Sequence, residues 1–273
     1  MAYKYELSIC AIFQNEAPYL KEWIEFHKLQ GVQHFYLYDN RSNDLPSRVL
    51  NEYVKRGEVT LINWPLFGQI HSQNKAYEHA LRLTSGKSKW VAFLDTDEFL
   101  FCPTGKNICE FVKPFESLIG VAGVCVSWQM YGSSDVKCLE YGELLIEKLL
   151  LKGKKDYSEN VHVKTIVRPE FAIGPNSPHC FFLRDGYFSV DSNHKRIDGP
   201  FNTDIPIDDI RINHYFARTL DFAYGEKLQR LIRIGRDYEG AKHRMDEFNR
   251  NCCVEQDDSI LIYVPRLRKN MWH

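Results

Sequence analysis

Short apolar runs alternate with longer segments of helical periodicity over the first hundred residues, and this alternation limits the fold more than any other feature. Strands are predicted at residues 7–13, 34–38, 59–63 and 90–94, and helices at 17–30, 45–56 and 70–83. Gly31 and Gly57 follow the ends of the first two helices, where glycine is favoured. A β-α-β-α-β-α-β order predicts an α/β fold with a mostly parallel central sheet flanked by helices.

The second half of the sequence is less regular. Strands are predicted at 121–130, 161–167 and 210–215, and helices at 220–234 and 241–250. The segment 170–208 has few periodic residues and suits loops that build a site on a scaffold. Because no clear linker divides the chain, we predict one domain over 1–273, with a nucleotide-binding half at 1–105 and an acceptor half at 106–273.

Composition narrows the class of protein. The chain has 273 residues, 44% of them hydrophobic, which is ample for a core, and a net charge of −1, which gives no general attraction to nucleic acid. No run approaches the roughly 20 apolar residues of a membrane helix. The eight cysteines form no CxxC pair and no signal peptide opens the sequence. We therefore expect reduced thiols and a cytoplasmic protein.

The strongest candidate for a functional site follows the fourth predicted strand. The apolar run 90–94 ends in Asp95, Thr96, Asp97 and Glu98. In extended backbone Asp95 and Asp97 point to the same side, so their carboxylates repel unless a cation lies between them. Such oxygen ligands favour Mg²⁺ or Mn²⁺, ions that commonly bridge to substrate phosphates. The alternative interpretation is a solvated acidic loop.

Two further polar clusters follow the first and second predicted strands. Asn15 and Glu16 come after Phe13, and Asp39 and Asn40 end the second strand. Three clusters at the carboxyl ends of parallel strands predict one ligand site at that edge. The sequence lacks GxGxxG, GxxxxGK[ST] and GxSxG, which argues against a Rossmann dehydrogenase, a P-loop ATPase and a serine hydrolase.

Several segments together resemble glycosyltransferases of the GT-A fold, and more narrowly glycosyltransferase family 92 and its bacterial relatives. The matching pieces are FQNEAPYLKEWIEFHKLQGVQHFYLYDNRSND, VTLINWP, KWVAFLDTDEFL, VKTIVRP and INHY, in the order of the family, over residues 13–215. The resemblance implies an inverting transfer of a sugar, galactose first, from a UDP-sugar to a hydroxyl of a glycan or lipid-linked glycan, with Mn²⁺ as the metal and Mg²⁺ as the alternative.

The resemblance also implies roles for individual residues. Asp97 should ligate the metal, Asp95 should bind metal or ribose, and His214 in INHY should complete the protein ligands. The residues expected at the nucleotide sugar are Phe13, Asn15, Glu16, Asp39, Asn40, Gln73, Lys75, Asp95 and Thr96. For some of these a structural role is the alternative: an N-cap for Asn15, an Asx-turn to Ser42 for Asp39, and a solvated helix face for Gln73 and Lys75.

Inversion requires a general base for the acceptor hydroxyl. We take Asp191 as the leading candidate and Asp185 as the second, because both lie in the irregular segment where acceptor loops are expected. The other groups considered for the acceptor side are Asp198, Glu140 and Glu143 as carboxylates, Trp128 and Tyr131 as stacking surfaces, and Lys164 and Arg168 as phosphate contacts.

Other classes of function stay open at this point. A nucleotidyltransferase also uses a carboxylate-bound metal, but it would carry a glycine-rich loop where this chain has FQNEAPY. A carbohydrate-binding protein without turnover is the non-enzyme alternative. The basic residues Arg266, Arg268 and Lys269 suggest a peripheral contact with the inner face of a membrane, with a frayed solvated tail as the alternative. The sequence does not indicate an oligomeric state.

Overall fold

The computed structural model describes residues 2–65 and 72–272. All the elements predicted in the first hundred residues form. They are β1 (Tyr5–Phe13), α1 (Ala17–Leu29), β2 (His34–Asp39), α2 (Ser47–Lys55), β3 (Val59–Asn63), α3 (Ser72–Thr84) and β4 (Ser88–Phe93). The first two residues of the predicted helix 70–83 lie outside the described residues. Gly31, just past α1, has a φ of +89°, the conformation that favours glycine after a helix.

The second half consists of shorter elements. They are β5 (Glu98–Phe101), α4 (Ile108–Val112), β6 (Val121–Met130), α5 (Leu145–Lys148), β7 (Leu151–Lys152), β8 (Val163–Val167), β9 (Ala172–Pro175), β10 (Phe181–Leu183), β11 (Phe188–Val190), β12 (Arg196–Ile197), β13 (Arg211–His214), α6 (Leu220–Phe222), a π-helical segment (Ala223–Lys227), α7 (Leu228–Arg233), α8 (Tyr238–Cys252), β14 (Glu255–Gln256) and α9 (Val264–Met271). Short 3₁₀ turns lie at Lys113–Ser117, Ser158–Val161, Pro169–Phe171 and Ser259–Tyr263.

One 10-stranded sheet contains strands from both halves, in the order β12-β11-β6-β8-β4-β1-β2-β3, with β13 beside β6 and β5 beside β13. The four strands β3, β2, β1 and β4 are parallel. Beyond β4 the sheet is mixed, because β8 is antiparallel to both β4 and β6 while β11 and β13 run parallel to β6. The predicted α/β class, with a mostly parallel sheet flanked by helices, is confirmed.

The sheet separates two hydrophobic clusters. Along β1, Leu7, Ile9 and Ala11 belong to the larger cluster, and Cys10 to the smaller one, as the alternation of side chains in a strand requires. The larger cluster includes Trp23 of α1, and the smaller includes residues of α3. Among the described residues, no helix is long and apolar enough to cross a membrane.

Three details differ from the predictions. Residues 95–97 do not continue an extended strand: a turn at 96–97 leads into β5, which the sequence analysis did not predict. The predicted helix 220–234 is interrupted by the π-helical segment. The segment 170–208 is not only loop, since it contains four short strands, β9 to β12.

Candidate functional site

A cleft with a volume of about 460 Å³ lies at the carboxyl edge of β1, β2 and β4. Most of the predicted nucleotide and metal residues are brought together there. The residues that line it are Ile12, Phe13, Gln14, Glu16, Asn40, Ser72, Gln73, Asp95, Thr96, Asp97, Trp128, His214, Phe216, Lys227 and Arg230. The strand ends therefore converge as the sequence analysis predicted.

One wall of the cleft, which we call the first wall, is formed by the turns that follow β1, β2 and β4. Hydrogen bonds to main-chain carbonyls hold part of it together. The Asn40 N–H donates to the Phe13 carbonyl at 2.8 Å, and the Gln14 side chain donates to the Asn40 carbonyl at 2.9 Å. The side-chain oxygen of Asn40 is buried and has no hydrogen-bond partner in the described part of the chain. A buried acceptor of this kind, on a residue that lines the cleft, suits a donor group of a bound ligand.

Asp95 is held by two side chains. Gln73 donates to its Oδ1 at 2.6 Å, and the ammonium group of Lys164 lies 2.9 Å from its Oδ2. Lys164 is only 1% exposed and also lies 3.7 Å from the buried carboxylate of Glu98. Burial tends to lower the pKa of Lys164, but the two carboxylates outweigh it and raise that pKa. Lys164 is therefore a fixed, charged partner of Asp95.

Asp97 has a different set of partners. Its Oδ1 lies 3.4 Å from His214 Nε2, and its Oδ2 lies 3.5 Å from Lys227 Nζ. Burial alone would raise the pKa of Asp97, but its interactions with His214 and Lys227 hold that pKa well below the usual value. The turn between β4 and β5 replaces the predicted extended backbone, and the two aspartates have different partners although both line the cleft.

The ligand set for a divalent ion can be tested against these contacts. Within residues 2–65 and 72–272, no group of three or more His, Cys, Asp or Glu side chains is arranged to hold a metal ion. Asp97 and His214 nevertheless fit as two neighbouring ligands, because metal–ligand bonds of about 2.1 Å at right angles place two donor atoms roughly 3.0 Å apart. Asp95 fits less well, since Gln73 and Lys164 take up its oxygens. The remaining ligands would come from substrate and water.

The His214 ring is oriented by packing. Its ring centroid lies 4.3 Å from that of Trp128, at an interplanar angle of 64°. Its Nδ1 is buried and has no hydrogen-bond partner among the residues described. Trp128 also contacts the rings of His162 and His179, at 5.0 and 5.1 Å. These four rings form an aromatic wall, of which Trp128 and His214 line the cleft.

Glu16 is committed to an ion-pair network. It pairs with the fully buried guanidinium of Arg218 and, at 2.9 Å, with that of Arg230. Arg230 also donates to the Gln14 carbonyl at 2.7 Å. Glu16 therefore lies at the cleft, as predicted, but its carboxylate serves mainly to position two arginines.

For Asn15 and Asp39 the sequence also allowed structural roles, an N-cap and an Asx-turn, and the structure decides the two cases differently. Asn15 does not cap α1, because its side chain accepts from Asn43 N–H, and Asp44 instead accepts from the first amide of the helix, that of Ala17. The N-cap prediction is therefore wrong. Asp39 accepts from the Ser42 N–H at 2.8 Å, so the predicted local bond to Ser42 is present, although it spans three residues and not the two of an Asx-turn.

The structure does not bring the two candidate general bases into the cleft. Asp191 is fully buried and accepts hydrogen bonds from the amides of Asn193 and Lys195 and from the side chain of Asn202. Asp185 is exposed in a turn between β10 and β11. Asp191 has the contacts of a residue that organises a turn.

Other candidates also lie elsewhere. Lys75 is exposed on α3, and Arg168 pairs with Glu170 at 3.0 Å. Glu143 pairs with Lys148, and Asp198 with Arg196. Arg268 of α9 pairs with Glu147 of α5, so the basic carboxyl end is a packed helix and not a frayed tail.

Sequence reasoning missed Lys227, Arg230 and Phe216 as cleft residues. Lys227 and Arg230 lie three residues apart in a segment predicted only as a helix, and nothing in its pattern indicates which face meets the cleft. Their proximity to the strand ends arises from tertiary packing.

The family model described as glycosyltransferase family 92 matches residues 3–180, well over half of the chain. The chain therefore belongs to glycosyltransferase family 92, and the resemblance drawn from its sequence is confirmed.

Individual relatives agree with this assignment. A glycosyltransferase family 92 protein of Ricinus communis is 29% identical over 196 residues, which cover 69% of this chain and 34% of the relative. The Caenorhabditis elegans beta-1,4-galactosyltransferase galt-1 is 33% identical over 207 residues, which cover 69% of this chain and 46% of the relative. The chain thus spans about a third to a half of the length of these relatives. A crystal structure of S. aureus TarS 1-349 has 12% identity and a TM-score of 0.43, covering 89% of this chain and 70% of that one.

Proposed function

We propose that the protein transfers a hexose from a UDP-sugar to a hydroxyl group of a glycan or lipid-linked glycan. Membership of glycosyltransferase family 92 supports the reaction class. Galactose is the first choice of sugar because the relative galt-1 is named a beta-1,4-galactosyltransferase. A β-linked product made from an α-linked nucleotide sugar requires inversion at the anomeric carbon, so we propose an inverting transfer.

The observation that carries this proposal is the pairing of Asp97 with His214 beside two cationic side chains in the cleft. Lys227 lies 3.5 Å from Asp97, and Arg230 pairs with Glu16, which also lines the cleft. Asp97 and His214 would hold a divalent ion, Mn²⁺ before Mg²⁺, whose charge stabilises the negative charge that develops on the leaving UDP. Preorganised positive charge at a leaving group is a large part of catalysis in reactions of this kind.

The other wall of the cleft would bind the nucleoside. Asn40 offers a buried side-chain oxygen without a partner among the described residues, which suits an N–H or O–H donor of the nucleotide. Asp95 is fixed by Gln73 and Lys164 and can accept from a ribose hydroxyl through its exposed edge. Trp128 offers an aromatic surface next to His214, where the transferred sugar would lie.

The acceptor proton needs a base, and we do not assign this role to Asp191 or Asp185. Their surroundings favour structural or solvent-exposed roles, as described above. Cytoplasmic location and a membrane contact through Arg266 and Lys269 stay predictions.

A donor screen tests the proposal. UDP release is measured from UDP-galactose and UDP-glucose with Mn²⁺, with Mg²⁺ and with excess EDTA, and GDP-mannose serves as the control donor. We expect release from UDP-galactose that depends on the divalent ion. Equal release in EDTA would remove the metal from the reaction. Binding of UDP-galactose without any release or transfer would favour the carbohydrate-binding alternative, and NMR of the product's anomeric proton tests inversion.

A further inference from the structure

Lys227 is unusually placed for a lysine. Its side chain is only 13% exposed, and its ammonium group lies 3.6 Å from the centroid of the Phe216 ring. The same ammonium group lies 3.5 Å from Asp97, the carboxylate that pairs with His214. A lysine is rarely buried without a specific partner, so its position on Asp97 needs a functional explanation.

The helix that carries Lys227 is itself irregular. A π-helical segment, Ala223–Lys227, separates α6 from α7 and ends at this lysine. Such segments are rare and frequently lie at functional sites. Arg230 follows on α7 and also faces the cleft. The π-helical segment and α7 thus place one cation each in the cleft.

A divalent ion and Lys227 would both interact with the carboxylate of Asp97. An ion held by Asp97 and His214 would lie next to the ammonium group, and like charges at such short range repel. The diphosphate of a nucleotide sugar offers Lys227 another anionic partner in the same cleft. We propose that Lys227 exchanges partners, pairing with Asp97 without the metal and with the donor diphosphate once metal and donor are bound. This inference rests on the proposed function.

The exchange makes metal and nucleotide binding depend on each other. With Lys227 on Asp97, the metal binds against a positive charge. With a diphosphate present, Lys227 moves to the phosphates and the metal meets a free carboxylate. Linkage requires the same coupling in both directions, so the metal must also strengthen nucleotide binding. Lys227 is therefore a positioning residue that couples the binding of the metal to the binding of the nucleotide.

The test uses one substitution that should strengthen metal binding and weaken nucleotide binding. Lys227→Gln removes the charge that repels the metal and also removes the contact with the phosphates. We expect Lys227→Gln to bind Mn²⁺ about fivefold more tightly in the absence of nucleotide. With saturating Mn²⁺, the same variant should bind UDP roughly tenfold more weakly. A residue that only supports the fold would weaken both.

The measurements are calorimetric titrations of Mn²⁺ alone, and of UDP at saturating Mn²⁺, with a melting curve for each protein. Lys227→Met is the second variant, because its unbranched apolar side chain still packs on Phe216. Lys242→Gln is the matched control: Lys242 also lies 3.5 Å from an aspartate, Asp246, but is 47% exposed on α8.

Tighter Mn²⁺ binding together with weaker UDP binding in a folded Lys227 variant, and neither change in Lys242→Gln, would support the exchange. Unchanged or weaker Mn²⁺ binding, or unchanged UDP binding, would overturn it. If the wild type binds Mn²⁺ and UDP and the variants match it, the exchange alone fails. If the wild type binds no UDP, the proposed function fails with it.

Discussion

The two walls of the cleft are built in different ways. The wall from the first half consists of turns that follow strands, at Phe13, Asn40 and Asp95–Asp97, and hydrogen bonds to main-chain groups hold much of it in place. The wall from the second half consists of side chains within strands and helices, such as Trp128 of β6, His214 of β13 and Arg230 of α7. The second half also supplies Lys164 of β8, which does not line the cleft but holds Asp95 in place. The first wall follows the ends of strands, whereas the second is formed by side chains inside strands and helices.

Because of this difference, a side chain in the turns can serve function without contributing to stability, whereas a buried side chain from the second half serves both. The polar side chains of this wall, such as Asn40 and Asp97, belong to no hydrophobic cluster and can change without disturbing one. Lys164, by contrast, is almost fully buried and lies between Asp95 and Glu98. Burial raises the pKa of Glu98 well above the usual value, although the charge of Lys164 opposes this. Substitutions on the two walls should therefore have different effects.

The largest expected effect is on turnover in the first wall. Asp97→Asn keeps the size of the side chain but removes the charge that would hold the metal. We expect turnover to fall about a hundredfold or more, or roughly 3 kcal/mol in the barrier. The measurement is UDP release at saturating donor and Mn²⁺, with a melting curve for each protein.

In the same experiment Asp97→Asn should melt close to the wild type, because Lys227 can turn to the solvent of the cleft. A variant that keeps most of its turnover would show that residues 95–97 are only a turn. A variant that unfolds would show that the first wall is as structural as the second.

The second prediction concerns the contribution to stability of Lys164, the buried lysine that the second half supplies to Asp95. Lys164→Met leaves the carboxylates of Asp95 and Glu98 without their shared cation, so the free energy of unfolding should fall by about 3 kcal/mol. Denaturant unfolding measures it. Lys89→Met is the matched control, since Lys89 also pairs with two glutamates, Glu6 and Glu116, but is 23% exposed. We expect less than about 1 kcal/mol there. Equal losses of unfolding free energy in Lys164→Met and Lys89→Met would contradict the expected difference between the buried and the more exposed lysine.

The same difference explains what the sequence could predict. Strand ends in a β-α-β pattern reach one edge by topology, so Phe13, Asn40 and Asp95 could be placed together from periodicity alone. The turn at 96–97 could not, because β5 pairs with β13, more than a hundred residues later in the chain. His214 was found only through the family resemblance, in INHY. Lys227 carries no local signal, since its position depends on packing.

Asp191 gives the third prediction. Its carboxylate accepts from two amides and from Asn202, whose own oxygen accepts from Asp204 N–H and so fixes the Asn202 amide. Asp191→Asn would set two NH₂ groups against each other. We expect a loss of about 2 kcal/mol in unfolding free energy, with turnover per folded molecule near the wild type. Loss of turnover in a folded, stable Asp191→Asn would restore Asp191 as the general base. Asp185→Asn, at an exposed turn, is the control.

The smallest expected effect lies at His214, where the two walls meet through its contact with Asp97. If His214 is a metal ligand, His214→Ala should raise the Mn²⁺ concentration for half-maximal turnover by roughly tenfold or more, and excess Mn²⁺ should restore part of the turnover. His179→Ala is the matched control, because His179 packs on the same Trp128 ring at 5.1 Å but makes no ion pair with Asp97. Both substitutions remove a ring from the aromatic wall, so both should lower the melting temperature. Only the loss of a ligand changes metal affinity. A Mn²⁺ midpoint that is the same in His214→Ala as in the wild type would make His214 a packing residue of the second wall and leave Asp97 as the metal's anchor in the first.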